Sequence, residues 1–141
     1  MITDPNCIFC RIVAGEIPCH RLYEDENTLA FLDVGPTAPG HSLLIPKAHY
    51  ERLDELPEDI AAAIGRVLPR LGRAVSEAVG APGYNVLQNN GSEAGQAVMH
   101  VHFHIIPRGL PDSDFRFDWP AGKLDPDRAK ELVAEITGRI G

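Results

Sequence analysis

One run of seven residues constrains this chain more than any other: His100-Val101-His102-Phe103-His104-Ile105-Ile106. Strict alternation of a polar ring with an apolar side chain marks an extended strand whose two faces differ. Three imidazoles fall on one face, and Val101, Phe103 and Ile105 on the other. Flat-strand spacing puts neighbouring rings about 6.5–7 Å apart and the outer pair about 13 Å apart. Two rings at i and i+2 can share one metal ion, but three in a line cannot all reach it with bonds of about 2 Å. At least one ring is left for another task.

The rest of the chain supplies the elements around that strand. Ile8, Phe9, Ile12 and Val13 follow Asp4-Pro5 at helical spacing and stop at Gly15, which predicts a short N-terminal helix. Three strand-like runs follow at 21–24, 28–33 and 41–46, with connectors short enough to join antiparallel neighbours. Ile60, Ile64, Val67, Leu71 and Val75 recur at three- and four-residue steps and predict a helix over about 57–79, kinked or broken at Pro69. Residues 84–89 and 100–107 read as the fourth and fifth strands. Asp125-Pro126 opens a closing helix whose apolar face is Ala129, Leu132, Val133, Ile136 and Ile140. The order α-β-β-β-α-β-β-α predicts an α+β fold. It is a five-stranded antiparallel sheet with a short N-terminal helix, a long central helix and a C-terminal helix packed on it.

The 141 residues suit a single domain over 1–141 with a real hydrophobic core. The formal net charge of -7 argues against sequence-independent nucleic-acid binding, which needs clustered Lys and Arg. It does not exclude a small phosphate ligand, because local charge can differ from the total. No apolar run approaches the roughly 18 residues of a membrane span. Residues 1–6 do not read as a secretory signal, so the expected compartment is the cytoplasm. Three cysteines, in a reducing compartment, do not read as a disulfide framework.

Three chemistries compete for the histidine run. A structural role buries three rings whose polar atoms must all be satisfied. A metal-only site can take His100 and His102 and leaves His104 unexplained. Nucleophilic catalysis uses the neutral imidazole, a good nucleophile toward phosphorus and a good leaving group from it. The neighbouring segment favours the last. Asn90-Gly91-Ser92-Glu93-Ala94-Gly95-Gln96-Ala97 exposes backbone N–H groups suited to phosphate oxygens, and Gly91 and Gly95 allow close approach. Asn90-Gly91 is equally an ordinary hairpin signal.

The run, preceded by Gly95-Gln96-Ala97-Val98 and followed by Pro107-Arg108, resembles the histidine-triad (HIT) family of nucleotide hydrolases and transferases. So do Cys7-Ile8-Phe9-Cys10-Arg11-Ile12-Val13-Ala14-Gly15-Glu16-Ile17-Pro18, Phe31-Leu32-Asp33-Val34 and Pro39-Gly40-His41-Ser42-Leu43-Leu44-Ile45-Pro46-Lys47-Ala48-His49. The resemblance covers nearly the whole chain and implies a HIT-like fold. It implies cleavage at the α-phosphate of purine nucleotides through a covalent nucleotidyl-histidine intermediate. The activity is then nucleoside phosphoramidase or dinucleoside polyphosphate hydrolase, on adenosine phosphoramidates or dinucleoside polyphosphates. A nucleotidyltransferase of the same mechanism is one alternative, and a nucleotide-binding interaction module with little turnover is another.

The resemblance also implies residue roles. His102 is the nucleophile, oriented through the backbone carbonyl of His100. His104, Gln96 and the backbone near Gly95 contact phosphate, and Asn89 contacts ribose or phosphate. Asp33 accepts from the ribose hydroxyls. Ile8, Phe9, Ile12, Phe31, Val34 and Leu43 line the base pocket, although plain core packing explains the same residues. His41 falls on a family histidine near the pocket. Ala97 stands where many phosphoramidase members carry Ser or Thr, which bears on substrate preference and rate. Members of this size are homodimers. Phe115, Phe117 and Trp119 are late aromatics that could reach a partner or a ligand, or only cover the core.

Cys7-x-x-Cys10 reads as a redox pair, a metal half-site or unliganded thiols. A redox pair belongs in a βαβ unit, which this element order lacks. As a half-site it needs two more ligands, and His49 and His100 are available. Together the four make a closed structural Zn2+ site, as in a subset of bacterial HIT proteins. His100 then anchors metal, His102 stays free to react and His104 faces phosphate. Cys19 reads as a small apolar residue.

Overall fold

Two consecutive hairpins begin the sheet. The Asp25 carboxylate accepts from the N–H groups of Asn27 and Thr28 at 2.8 and 2.7 Å. Such a turn reverses the chain between Arg21–Glu24 (β1) and Thr28–Leu32 (β2). β2 then pairs with Ser42–Pro46 (β3), in register from Thr28 opposite Pro46 to Leu32 opposite Ser42. In the computed structural model, which describes every residue except 114 and 117, the other elements are Ile8–Val13 (α1), Glu58–Val79 (α2), Gly83–Gln88 (β4), Phe103–Arg108 (β5) and Pro126–Ile140 (α3). The five strands form one antiparallel sheet in the order β1-β2-β3-β5-β4.

Alternation along the strands divides the core in two. Leu29, Phe31, Leu43 and Ile45 face α1 and pack on Phe9, Cys10 and Ile12. Ala30, Leu44 and Ile105 face α2 and pack on Ile64, Val67, Leu71 and Val75. Gly72 lets α2 lie close to the sheet, because a Cβ there would sit 2.7 Å from the Tyr84 ring.

Three expectations change. α2 runs unbroken through Pro69 for 22 residues, so there is no boundary at that position. Proline removes the bond to the Gly65 carbonyl four residues back, but both residues are exposed and water can satisfy that carbonyl. β5 starts at Phe103, not at His100. The backbone N–H of Val101 goes instead to the Tyr50 carbonyl at 2.7 Å, and that of His100 to Val98 at 2.9 Å, so residues 100–102 lie ahead of the ladder. α3 forms, with the Asp125 carboxylate accepting from Asp127 N–H, but it buries no residue. Val133, Ile136 and Ile140 are 61%, 54% and 77% exposed.

Of the late aromatics, Phe115 lies under the Arg108 guanidinium, 5.0 Å from ring centre to charge, and Trp119 is exposed. Phe117 lies outside the described residues. Among the described residues no helix is long and apolar enough to cross a membrane.

Candidate functional site

His100 and His102 each use one ring nitrogen on a backbone carbonyl that decides where the proton sits, and His104 meets a fourth imidazole. His100 is fully buried, and its Nε2 is 2.8 Å from the Pro46 carbonyl. A carbonyl only accepts, so Nε2 carries the hydrogen and Nδ1 is bare. That bare nitrogen faces Cys7 Sγ at 3.4 Å, Cys10 Sγ at 3.6 Å and His49 Nδ1 at 3.2 Å. Cys10 Sγ is also 3.4 Å from His49 Nδ1. The four ligand atoms lie within 4.8 Å of one another, positioned to bind a metal ion.

Local structure explains the convergence. Cys7 caps α1, and its sulfur accepts from Cys10 N–H at 3.5 Å, so the two cysteines occupy the first turn together. His49 is tied by its N–H to the Ile2 carbonyl at 2.8 Å. Burial pushes the Cys7 thiol up, against the lowering effect of the Cys10 N–H. Burial likewise takes His100 down to about 4, against the Pro46 carbonyl and helped by His49 and His102.

His102 donates from Nδ1 to the His100 carbonyl at 2.7 Å, which leaves its Nε2 bare. The edge of Phe9 meets it, with ring centres 5.2 Å apart. The His104 ring centre is 5.0 Å from that of His102, closer than flat-strand spacing, with the rings inclined at 67°. His104 Nδ1 is 2.9 Å from His41 Nε2, and Asp33 Oδ2 is 3.5 Å from the same His41 nitrogen. Asp33, His41 and His104 thus form a second compact group of possible ligands. Burial, then His102 and His41, take His104 down to about 4, against Asp33. Burial also lowers His41, again against Asp33.

A cavity of about 330 Å³ opens beside these rings. Its wall brings together Ile8, Phe9, Ile12, Phe31, Val34 and Leu43 with Asp33, Ala97, His102 and His104. His41 reaches it through His104. Asn89, Gly95 and Gln96 are not in that wall. Asn89 donates to the Gly95 carbonyl at 3.3 Å. The Gln96 amide donates to Glu51 O at 2.7 Å and Val98 O at 3.0 Å and accepts from Gly91 N–H at 2.8 Å. Its backbone N–H goes to Gly91 O at 3.1 Å. These bonds tie the loop to itself and to Glu51. Ile17, Pro18, Cys19, Leu32 and Val98 also line the cavity and were not expected there as ligand contacts. Residues 17–19 lie in an irregular segment, where no periodicity could have pointed to them.

Comparison with known proteins gives the same picture. A family model described as the HIT domain matches residues 14–109. An adenosine 5'-monophosphoramidase of Schizosaccharomyces pombe is 47% identical over 135 residues, covering 96% of this chain and 98% of its own. The protein hit of Bacillus subtilis is 40% identical over 137 residues, covering 96% and 94%. The crystal structure of a HIT family member from Bacillus subtilis superposes with a TM-score of 0.92 at 39% identity, covering 96% of this chain and 98% of that one. On its fold, its triad and these relatives, the chain belongs to the HIT domain family.

Proposed function

We propose that this protein is a nucleotide hydrolase that cleaves at the α-phosphate of purine nucleotides, with adenosine phosphoramidates as the leading substrate class and dinucleoside polyphosphates beside them. The observation that carries this reading is the 2.7 Å bond from His102 Nδ1 to the His100 carbonyl, on a ring that lines the cavity. It leaves a neutral ring with a bare Nε2, the form a nucleophile needs. The Nε2–phosphorus bond forms as the bond from phosphorus to the amine or phosphate breaks; an amine leaving group takes a proton from solvent, and a phosphate departs as the anion. Water then attacks phosphorus, the Nε2–phosphorus bond breaks, and the nucleoside monophosphate is released with the second water hydrogen passing to solvent. The apolar wall from Ile8 to Leu43 suits a base, and Asp33 suits the ribose hydroxyls. The Schizosaccharomyces pombe relative is itself an adenosine 5'-monophosphoramidase. Turnover of adenosine 5'-phosphoramidate, absent from a His102→Ala variant, tests the reading, and undiminished hydrolysis by that variant would overturn it.

The metal at Cys7, Cys10, His49 and His100 is zinc in this proposal, held as a structural ion. Tetrahedral zinc with bonds of about 2.0–2.3 Å implies ligand separations of about 3.3–3.8 Å. Of the six separations, the four across Cys7–His100, Cys10–His100, Cys10–His49 and His49–His100 are 3.2–3.6 Å, and all lie within 4.8 Å. Two thiolates and two neutral rings balance a divalent cation, so the buried site needs no further countercharge. The ion would tie α1 to the segment that carries His102. Metal analysis of protein never exposed to chelator should find one zinc per chain, and its absence would remove the assignment.

The chain acts as one domain, in the cytoplasm, on a small nucleotide rather than on nucleic acid. It pairs as a homodimer: β4 is an outer strand of the sheet, with Val86 47% exposed, and its free edge suits pairing with a second copy. Light scattering behind size exclusion measures the stoichiometry.

A further inference from the structure

The triad fixes the proton on His100 and His102 through backbone carbonyls, but no carbonyl faces His104 among the described hydrogen bonds. Its Nδ1 meets another imidazole instead, and either ring of such a pair can be the donor. The ambiguity is resolved one residue further out. Thr37 N–H points at His41 Nδ1 at 3.2 Å. A backbone N–H can only donate, so His41 Nδ1 must be bare. A neutral His41 therefore carries its hydrogen on Nε2, directed at His104 Nδ1. His104 Nδ1 then accepts, and the hydrogen of a neutral His104 sits on Nε2.

We propose that His41 is a positioning residue which, held by the Thr37 N–H, locks His104 in the Nε2–H tautomer and makes it a neutral, fixed donor to the phosphoryl group. This rests on the reading that the cavity takes a nucleotide phosphate. Protonating either ring breaks the arrangement. A second hydrogen on His41 would oppose the Thr37 N–H, and one on His104 Nδ1 would oppose the His41 Nε2 hydrogen. Burial, which disfavours a charge on both rings, acts in the same direction. Asp33 Oδ2, 3.5 Å from His41 Nε2, sets a negative charge beside that nitrogen and so favours the hydrogen there. His104 thereby complements His102: one ring offers phosphorus a bare Nε2, and the next offers a phosphoryl oxygen an Nε2–H.

Long-range proton–nitrogen NMR of the full chain reads both tautomers directly and does not depend on turnover. The expected result is an Nε2–H form for His41 and for His104 at neutral pH, with AMP shifting the His104 Nε2 signals. His41→Leu should mix the His104 tautomers and lower kcat about 10- to 100-fold, the range that follows loss of a partner orienting a metal-bound histidine. KM should change less. His41→Gln restores an N–H donor and should recover at least about tenfold of that loss. An Nδ1–H form of His104 in the unaltered protein overturns the proposal, whatever the variants do. So does a second equivalent of zinc that displaces the His41 and His104 hydrogens, because a metal would then hold those nitrogens. A locked tautomer in protein that binds AMP but does not hydrolyse the phosphoramidate supports the positioning role and counts against the hydrolase reading alone.

Discussion

The two ends of the histidine run carry clusters of similar make-up and opposite need. Cys7, Cys10, His49 and His100 direct a bare His100 nitrogen at two sulfurs. Asp33, His41 and His104 bring similar ligand atoms as close together, but a hydrogen already lies between the two ring nitrogens. A count of ligands would treat both as metal sites. What separates them is the outer partner: an acceptor behind His100 empties its inner nitrogen, and a donor behind His41 fills its inner one. Demand for a cation is set one shell away from the cluster itself.

The largest expected effect lies between the two ends. His102→Ala should lower turnover of adenosine 5'-phosphoramidate by about ten-thousand-fold or more, as removal of a covalent nucleophile does. Metal content should not change, and a variant that lost its metal would break the division of labour along the run. Next comes the buried cluster. Cys7→Ser should cost more than about 4 kcal/mol in denaturant unfolding, since metal loss belongs to the few single changes of that size. His104→Asn should keep the metal, so equal losses from the two variants would erase the contrast.

The third prediction concerns acid. The folded pKa of His104 is about 4, below the ordinary histidine value of 6.5. The unfolded chain therefore binds more protons between those values, and stability falls as pH drops. The contribution is complete above about pH 6.5 and lost progressively toward pH 4. Denaturation midpoints across that range should slope less steeply for His104→Asn than for the unaltered protein. The smallest effect is at Ala97, in the cavity wall. Ala97→Ser should raise phosphoramidate turnover by no more than about fivefold, the worth of one added hydrogen bond of about 1 kcal/mol, without altering metal content. Steady-state kinetics on the two substrate classes measures it.

Much of this arrangement was legible in the chain. Period-2 and period-3.6 patterns placed the five strands and the three α-helices, because β2, β3 and α2 sort their apolar residues cleanly between faces. Cys7 and Cys10 are legible as a pair from spacing, whereas His49 and His100, 39 and 90 positions from Cys10, join them only through resemblance. The misses have a common origin in backbone hydrogen bonding that side-chain patterns do not record. Val101 gives its N–H to Tyr50, so β5 starts late. Thr37, which no motif singled out, decides the state of His41. α3 shows the converse: its amphipathic pattern gave the helix correctly and said nothing of what it would meet.

His100 answers to two clients at once. Its ring belongs to the buried cluster, and its carbonyl aims the neighbouring nucleophile. Anyone redesigning this scaffold to work without metal could replace four ligands with a well-packed apolar plug and keep the sheet, yet still lose the reaction, because the plug carries no instruction for the orientation of one peptide plane. Transplanting the triad onto another strand meets the same obstacle. The portable unit is the histidine run together with whatever grips its first residue.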